Sequence, residues 1–436
     1  MPYKKETASG DSLIWLENSS SLKDFQGEIR HKDKAYFVPP EIKVRRENWW
    51  PRRVIAVDGS NIVTRVNNGF PGAEAGLLMI SVVAIKLDLL QKIEPGSIPS
   101  PSIFHDMENA LTVDAPLPGI GIVRKKVDDD EPVNFFRETV LEILSSTLAD
   151  DHESLLGTLR AISQDFEPKK CPIVDCDRPY TPGKGKYLCN CEKKEYLFET
   201  DILRLHEYFD GISASGEAHG RLRAVLEILV LLNILRFFAK KCPAYLKDCA
   251  FVLDGPLAVF GTPASMLRPI QKELLRLNTI ARQSNGTDIV LFGIQKTGMF
   301  VEHWEQIDWD DDKGPRTRFA DGTVIAPDGE YIRNNILPGK AGKNFGTDTY
   351  FGRTVMYKTN KGEHTVLNTA MLNEQSRNTE NNAVECYPRL GDILNVMDQM
   401  ATYLYRDGFL PLVRAHAHAA IPLKRGSDII KTLLET

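Results

Sequence analysis

Two apolar segments of the chain each run directly into an Asp-Gly pair, and this repeated pattern constrains the fold more than any other feature. The first is VIAVDGS, with Asp58, and the second is AFVLDGP, with Asp254. Short runs of Val, Ile, Leu and Phe bounded by glycine are typical of buried strands. Because adjacent strand ends bring distant residues together, the sequence predicts one sheet edge that carries both carboxylates. The alternative is that each Asp-Gly pair only forms a turn.

The remaining segments predict a mixed α/β domain. A strand at 54–57 ends at Asp58, and strands at 61–66 and 77–87 complete a three-strand meander. The stretch 217–241 is apolar nearly all round, which predicts a buried helix. Strands are then predicted at 250–253, 288–294, 349–358 and 364–372, and helices at 267–282 and 388–406. The stretch 304–343 has the composition of a loop, and its acidic run 308–312 predicts a solvated surface.

Composition sets limits on the class of protein. The chain has 436 residues, of which 42% are hydrophobic, so it can form a sizeable core. Its longest apolar run, 222–238, contains Arg223, Glu227 and Arg236, which are too polar for a lipid-facing span. The N-terminus lacks the apolar stretch of a secretory signal. We therefore expect a cytoplasmic protein without a membrane segment. A net charge of −5 does not exclude nucleic-acid binding, because the sum hides local basic and acidic regions.

Carboxylates at Asp58 and Asp254 predict a divalent metal site. Mg²⁺ and Mn²⁺ prefer oxygen ligands, and ions held this way activate water and stabilise the leaving oxygen of a phosphodiester. Glu227 is the only acidic residue between Ala218 and Lys247, inside the helix predicted to be buried. A lone buried carboxylate is costly unless it is paired or binds metal. Glu227 is thus either a metal ligand or the partner of Arg223, four residues earlier.

A second candidate pattern is His416-Ala-His418. On a strand both rings would project from one face, whereas on a helix they would diverge. We favour one functional histidine, acting as a metal ligand or as a proton donor and acceptor. The alternatives are a histidine pair without function and a small-molecule metallo-hydrolase built around both rings.

Several short motifs, in this order, resemble the NurA nuclease family. They are IAVDGS at 55–60, the helix with Arg223 and Glu227, VLDGPL at 252–257, GIQK at 293–296, Tyr387-Pro388 and AHAHAAI at 415–421. The resemblance implies an RNase H-like fold, dependence on Mn²⁺ or Mg²⁺, and a homodimer. It also implies a HerA-type hexameric DNA-translocating ATPase as partner, in DNA end processing or repair or in antiviral (phage) defence.

The resemblance also assigns residues. Asp58 and Asp254 match the strand-end carboxylates, Glu227 matches the helix carboxylate with Glu217 as the alternative, and His416 matches the late histidine of the family. Lys296 and Tyr387 match polar positions near the site, where lysine would steady a phosphate and tyrosine would hydrogen-bond or stack. The expected division of the chain is an N-terminal extension at 1–50 and a NurA-like domain at 51–436, with a cysteine-bearing insertion at 164–215.

That insertion contains four of the seven cysteines. Their spacing is C-x4-C-x12-C-x-C, formed by Cys171, Cys176, Cys189 and Cys191. Four thiolates at such spacing predict a tetrahedral structural zinc site, which leaves no coordination position open for catalysis. The alternative is four reduced cysteines without metal.

A segment before the first strand alternates positive charge with aromatic rings. It contains Arg45, Arg46, Trp49, Trp50, Arg52 and Arg53. Such a segment either contacts the phosphates and bases of DNA or packs its tryptophans in the core. The GKAGKN sequence at 339–344 lacks the spacing of a phosphate-binding loop, so ATP binding is not expected. The sequence thus predicts a metal-dependent deoxyribonuclease; a non-catalytic subunit of the same fold that binds DNA or an ATPase is the main alternative.

Overall fold

The computed structural model describes residues 10–29, 39, 41–87, 108–125, 131–164, 169–173, 176, 178–180, 183–189, 195–209, 214–337, 345–402 and 408–434. Residues 1–38 form a unit of their own, which contains two short helices, α1 (Gly10–Asn18) and α2 (Ser20–Glu28). Residues 39–436 form the second unit.

An eight-stranded mixed sheet forms the centre of the second unit. Its strands are β1 (Arg53–Arg65), β2 (Glu74–Lys86), β3 (Glu108–Pro118), β4 (Cys249–Asp254), β5 (Val290–Gln295), β6 (Val324–Ile325), β7 (Gly352–Lys358) and β8 (His364–Ala370). Their order across the sheet is β6-β7-β8-β5-β4-β1-β2-β3. The strands β1, β2 and β3 form an antiparallel meander, β4 lies parallel to β1, and β5 lies parallel to β4. The prediction of a mixed sheet that opens with a three-strand meander is confirmed.

The first strand differs from its prediction. β1 runs without a break through Asp58 and Gly59, which pair with Ser81 and Ile80 of β2. The expected strand end and tight turn after residue 57 were therefore wrong. What ends near Asp58 is the pairing of β1 with β4, whose last partners are Val57 and Leu253. Asp58 thus lies just beyond the parallel part of the sheet.

Helices cover both faces of the sheet. They are α3 (Pro132–Ser145), α4 (Leu155–Ser163), α5 (Gly216–Lys241), α6 (Leu267–Asn285), α7 (Met299–Ile307), α8 (Gly329–Asn335), α9 (Leu390–Met400), α10 (Leu410–Ala419) and α11 (Leu423–Leu434). Ile55 and Val57 face a core that includes α3 to α6, while Val54 and Ala56 face a second core that includes α9 and α10. The predicted burial of the long helix is confirmed, since most of α5 is inaccessible to solvent.

The stretch expected to be a loop, 304–343, contains the end of α7 and all of α8. Its acidic run was predicted to be solvated, and for Asp308 this was wrong. The Asp308 carboxylate is fully buried and lies 3.0 Å from Lys358 Nζ and 2.7 Å from His364 Nε2. These partners and the backbone N–H of Phe319 hold its pKa below the usual value despite burial. The motif at 339–344 lies outside the described residues.

None of the described helices combines the length with the apolar character that a membrane crossing requires.

Candidate active site

Asp58 and Asp254 lie next to each other on neighbouring strands. Val57 of β1 pairs with Leu253 of β4, so the next residue on each strand is an aspartate. Adjacent strands are about 4.8 Å apart. Because side chains alternate along a strand, both aspartates project from the face that carries Ala56 and Val252. Asp58 is only 4% exposed, whereas Asp254 is partly accessible. The two carboxylates expected at one sheet edge are thus brought together.

Glu227 approaches the same point from the opposite face of the sheet. It lies on α5, is 5% exposed, and its Oε1 lies 2.6 Å from the position that a Cβ on Gly59 would occupy. Any side chain at position 59 would therefore displace this carboxylate. Arg223 Nη1 donates to Glu227 Oε1 at 2.6 Å and to the Gly59 carbonyl at 3.1 Å. Glu227 is thus paired with Arg223, and its carboxylate is also close enough to Asp58 and Asp254 to be repelled by both.

Burial and neighbouring carboxylates raise the proton affinity of Asp58 and of Glu227. Burial raises the pKa of Asp58, and the neighbouring Asp254 raises it further against the opposing bonds from His416 and the Gly59 N–H. Burial raises the pKa of Glu227 to about 8, with added repulsion from Asp58 and Asp254 and partial compensation by Arg223. Like charges gathered in a desolvated place are unfavourable by themselves and are stabilised by a cation.

A buried hydroxyl beside Asp58 supports the same interpretation. Ser81 faces Asp58 across the β1–β2 pair, is fully buried, and its Oγ has no hydrogen-bond partner among the described residues. Directly opposed side chains in such a pair project to the same side. The donors gathered here are carboxylate and hydroxyl oxygens, which is the donor set that Mg²⁺ and Mn²⁺ favour. Sequence reasoning missed Ser81, because its position is defined only by strand register.

His416 joins this cluster from α10. Its Nδ1 lies 2.9 Å from Asp58 Oδ2, while the side chain is 63% exposed. His418 lies on the same helix, two residues and about 200° further round. The two histidines therefore do not share a face, and a single ion held by both rings is incompatible with α10. The expectation of one functional histidine agrees with this geometry.

Lys296 follows β5 and lies at the accessible side of the cluster. Its Nζ is 2.6 Å from Asp254 Oδ2. The turn after Asp254 packs tightly onto β5, since the Gly255 N–H donates to the Ile294 carbonyl at 2.8 Å. A Cβ on Gly293 would lie 2.3 Å from the Gly255 carbonyl oxygen, so glycine is required there for the approach. This packing places Lys296 beside Asp254.

Two sequence-based candidates do not reach the cluster. Glu217 is on the first turn of α5, where its side chain is 60% exposed and pairs with Arg221 at 3.4 Å. It lies ten residues before Glu227, or roughly 15 Å along the helix. Tyr387 is buried, and its hydroxyl accepts a hydrogen bond from Arg353 at 3.2 Å.

Tyr387 belongs to the other end of the sheet. It lines a cleft of about 610 Å³ together with Trp49, Asp248 and Thr287. Asp248 and Thr287 precede β4 and β5, whereas Asp254 and Lys296 lie at the far ends of these strands. The expectation of Tyr387 near the carboxylates is therefore not met, because the residue packs in the second core.

The basic and aromatic segment lies at that same end of the sheet. Arg53 begins β1, five residues before Asp58 and roughly 17 Å from it along the strand. Arg46 forms an ion pair with Asp398 and donates to the Tyr357 hydroxyl at 2.6 Å. Trp49 and Trp50 pack against the second core, which agrees with the packing interpretation of the tryptophans. The side chains of Arg45 and Arg52 are exposed.

No protein-family model and no curated protein matches the chain. Among solved structures, the NurA nuclease from Sulfolobus solfataricus is similar at 12% identity and a TM-score of 0.32, with 97% of this chain and 94% of that chain covered. A second structure described as NurA is similar at 10% identity and a TM-score of 0.29, with 98% and 97% covered.

Proposed function

We propose that this chain is a divalent-metal-dependent nuclease that hydrolyses phosphodiester bonds in DNA. The observation that carries the proposal is the convergence of Asp58, Asp254 and Glu227 from β1, β4 and α5. Carboxylates from three separate elements, gathered against their mutual repulsion, are typical of a metal site. The order of sequence motifs that resembles the NurA family supports the same activity.

The proposed site has a role for each residue. Asp58, Asp254 and Glu227 would hold Mn²⁺ or Mg²⁺, with His416 as a further ligand or as the proton carrier. A divalent ion held by these carboxylates supplies activation of water and stabilisation of the charge on phosphorus. Asp58 orients the His416 ring, whose other edge faces the accessible side of the site. Lys296 balances Asp254 and is placed to steady a phosphate oxygen. Arg223 fixes Glu227 in position.

The accessibility of the site favours a polymer as substrate. His416 is largely exposed and Lys296 is partly exposed, while the carboxylates behind them are buried. Small-molecule sites commonly enclose most of the ligand surface. A site with a buried ligand set and with Lys296 and His416 at its accessible rim suits one phosphate of a long strand. The choice of DNA over RNA as the substrate rests on the sequence resemblance to the NurA family.

The alternative functions are less consistent with this geometry. A small-molecule metallo-hydrolase that uses both His416 and His418 would need them on one face, which α10 does not provide. A non-catalytic subunit that binds DNA or an ATPase would gain nothing from buried carboxylates that destabilise the fold when no cation is present.

The first experiment is cleavage of labelled linear single- and double-stranded DNA with EDTA, Mg²⁺ or Mn²⁺. We expect metal-dependent cleavage by the wild type and its loss in Asp58→Asn, Asp254→Asn and Glu227→Gln. For His416→Ala we expect a decrease of about 10²- to 10⁴-fold, the range for loss of general acid–base catalysis. Glu217→Gln is the matched control on the same helix, and Asp248→Asn is the control for β4.

These controls decide the assignment. Both carry carboxylates that lie away from the cluster, so their variants should cleave DNA like the wild type. If Asp58→Asn and Glu227→Gln retain full activity, the proposed site is wrong. If the wild type binds DNA but does not cleave it with either metal, with or without an ATPase partner, the chain is the non-catalytic subunit.

The proposal includes a HerA-type DNA-translocating ATPase as partner and a homodimer as the active form, both taken from the sequence resemblance. The physiological role would then be DNA end processing or repair, or antiviral defence. Analytical ultracentrifugation of the chain alone, and mixed with a HerA-type hexamer, tests this part. Sedimentation as a monomer in both samples would contradict the homodimer and the ATPase partner. The nuclease activity itself is tested separately by the cleavage assay.

A further inference from the structure

Three cysteine side chains meet in a part of the fold that has no role in the carboxylate cluster. The sulfur atoms of Cys171, Cys176 and Cys189 all lie within 4.8 Å of one another. Cys171 and Cys176 are buried, and both belong to the first core. Three thiols brought together from two hairpins form a preorganised donor set for a soft or borderline metal ion.

The sulfur–sulfur distances agree with a shared metal and not with a disulfide. Cys171 Sγ and Cys189 Sγ are 3.5 Å apart. A disulfide requires about 2.05 Å. Two thiolates on one tetrahedral zinc ion, each about 2.3 Å from it, are about 3.8 Å apart. The backbone N–H of Ile173 also donates to the Cys171 sulfur, which is the kind of bond that stabilises a metal-bound thiolate.

The local backbone supplies little stability by itself. Cys171 follows a strand of two residues, Lys169–Lys170, which pairs with Pro179–Tyr180. Cys189 follows a strand of three residues, Lys186–Leu188, which pairs with Tyr196–Phe198. Hairpins this short are not stable independently. A metal ion that joins the two hairpins would supply the cross-link that their hydrogen bonds do not.

We infer that Cys171, Cys176 and Cys189 bind a structural zinc ion that ties these two hairpins together. Zinc fits because it prefers tetrahedral thiolate coordination and needs no redox partner. The fourth cysteine of the sequence pattern, Cys191, lies outside the described residues. The site is independent of the proposed nuclease activity, because it shares no residue with the carboxylate cluster.

The zinc site has a consequence for the neighbouring segment 196–209. The His206 ring bonds to the carbonyl of Pro172, the residue after Cys171, and lies 3.4 Å from Asp201. Tyr208 in turn lies under Arg221 of α5, with 5.2 Å between the guanidinium carbon and the ring centre. Loss of zinc is therefore expected to loosen 196–209 while the central sheet remains folded.

The test measures zinc directly in the full chain. Wild type purified under reducing conditions should contain about one zinc per chain by inductively coupled plasma mass spectrometry. Cys171→Ser and Cys189→Ser should each lose it. The matched control is Cys242→Ser, since Cys242 ends α5 and is not part of the sulfur cluster. Replacement by Co²⁺ should give thiolate-to-metal charge-transfer absorption in the wild type and in Cys242→Ser alone.

Further measurements keep the outcome decisive. Asp58→Asn should retain its zinc, which separates this site from the proposed catalytic one. If the cysteine variants do not fold, release of zinc from the wild type by a mercurial thiol reagent and a colorimetric chelator reports on the same ligands. Hydrogen exchange should increase in 196–209 after that release. Zinc-free wild type isolated from zinc-containing medium, or zinc retained by Cys171→Ser and Cys189→Ser, would overturn the inference.

Discussion

At the scale of single residues, Gly59 has the most specific role in the candidate site. It lies inside β1, paired with Ile80, so a glycine at this position does not serve to form a turn. The missing side chain leaves the space that Glu227 and Arg223 occupy on the α5 side. Asp58 on one face of β1 and Glu227 on the other can therefore approach each other although the backbone of β1 lies between their side chains.

Gly59→Ala should damage both stability and activity. The added Cβ would lie 2.5 Å from Ile80 Cδ1 and 2.6 Å from Glu227 Oε1, closer than atoms can pack. Overpacking of this kind costs about 1–3 kcal/mol, and the displaced Glu227 would no longer lie beside the aspartates. Urea denaturation and the DNA cleavage assay measure the two effects.

Gly220→Ala is the control for this substitution. Gly220 lies on α5, and no atom would approach its added Cβ within 4 Å. Alanine in a helix interior is more stable than glycine by roughly 0.5–1 kcal/mol, so this variant should be slightly stabilised and fully active. Equal behaviour of the two alanine variants would contradict the role assigned to Gly59.

Individual residues were predictable where chemistry is encoded locally. Asp58 and Asp254 stand out because each directly follows an apolar run and precedes a glycine, and Glu227 stands out as an acid in an apolar helix. The contact of His416 with Asp58 spans 358 residues of sequence and depended on the family resemblance. Tyr387 shows the limit of that resemblance, since a matching motif does not determine the end of the sheet at which a side chain packs.

At the scale of elements, the long helix α5 was foreseen and the course of β1 was not. A helix that is apolar nearly all round must be buried within the protein, so the composition of 217–241 predicted the burial of α5. In β1, Asp-Gly-Ser has the composition of a turn, but continuous pairing with β2 through these residues overrides that preference. Local composition therefore misplaced a strand boundary that tertiary pairing determines.

The packing of α5 against the meander gives a prediction for pH dependence. His219 on α5 is fully buried against Phe136, and its Nε2–H donates to the Pro118 carbonyl at 3.0 Å. Burial lowers the pKa of His219, although this bond and the charge of Glu74 oppose the effect. The unfolded chain binds a proton near pH 6.5, and the folded chain does so only at lower pH. The contribution of His219 is fully present above pH 6.5 and is lost as pH falls below it.

His219→Gln removes this titration and can keep the bond to Pro118. As pH falls from 7.5 to 5.5, the wild type should lose free energy of unfolding relative to the variant, because only the wild type carries His219. The raised pKa of Glu227 acts in the opposite direction but contributes equally to both proteins. The difference in slope should reach at most about 1.4 kcal/mol per pH unit, the value for one proton. Urea denaturation at several pH values gives both slopes. Identical slopes would show that His219 takes up its proton equally in the folded and unfolded chain.

At the scale of the whole molecule, the carboxylate cluster joins parts of the fold that are distant in sequence. Asp58 belongs to the meander, Glu227 to the helix that covers it, and Asp254 to the parallel strands that continue the sheet. The mixed sheet was predictable from the order of the segments. The convergence of the three carboxylates was not, because strand register and helix placement depend on the packing of both cores. A cation at this junction would offset charge repulsion between all three parts.

Mn²⁺ should therefore raise the thermal stability of the whole second unit. At a concentration about 100 times its dissociation constant, a ligand that binds only the folded state adds about 2.7 kcal/mol. For a domain of this size that corresponds to an increase in Tm of roughly 3 °C. The double variant Asp58→Asn, Asp254→Asn should show no such increase. Its metal-free Tm should equal or exceed that of the wild type, because two repelling charges are removed.

Differential scanning calorimetry of zinc-loaded protein isolates the effect of Mn²⁺, and Asp248→Asn should behave like the wild type. An equal shift in the double variant would place the ion elsewhere, and a lower metal-free Tm would mean that the aspartates stabilise the fold without a cation.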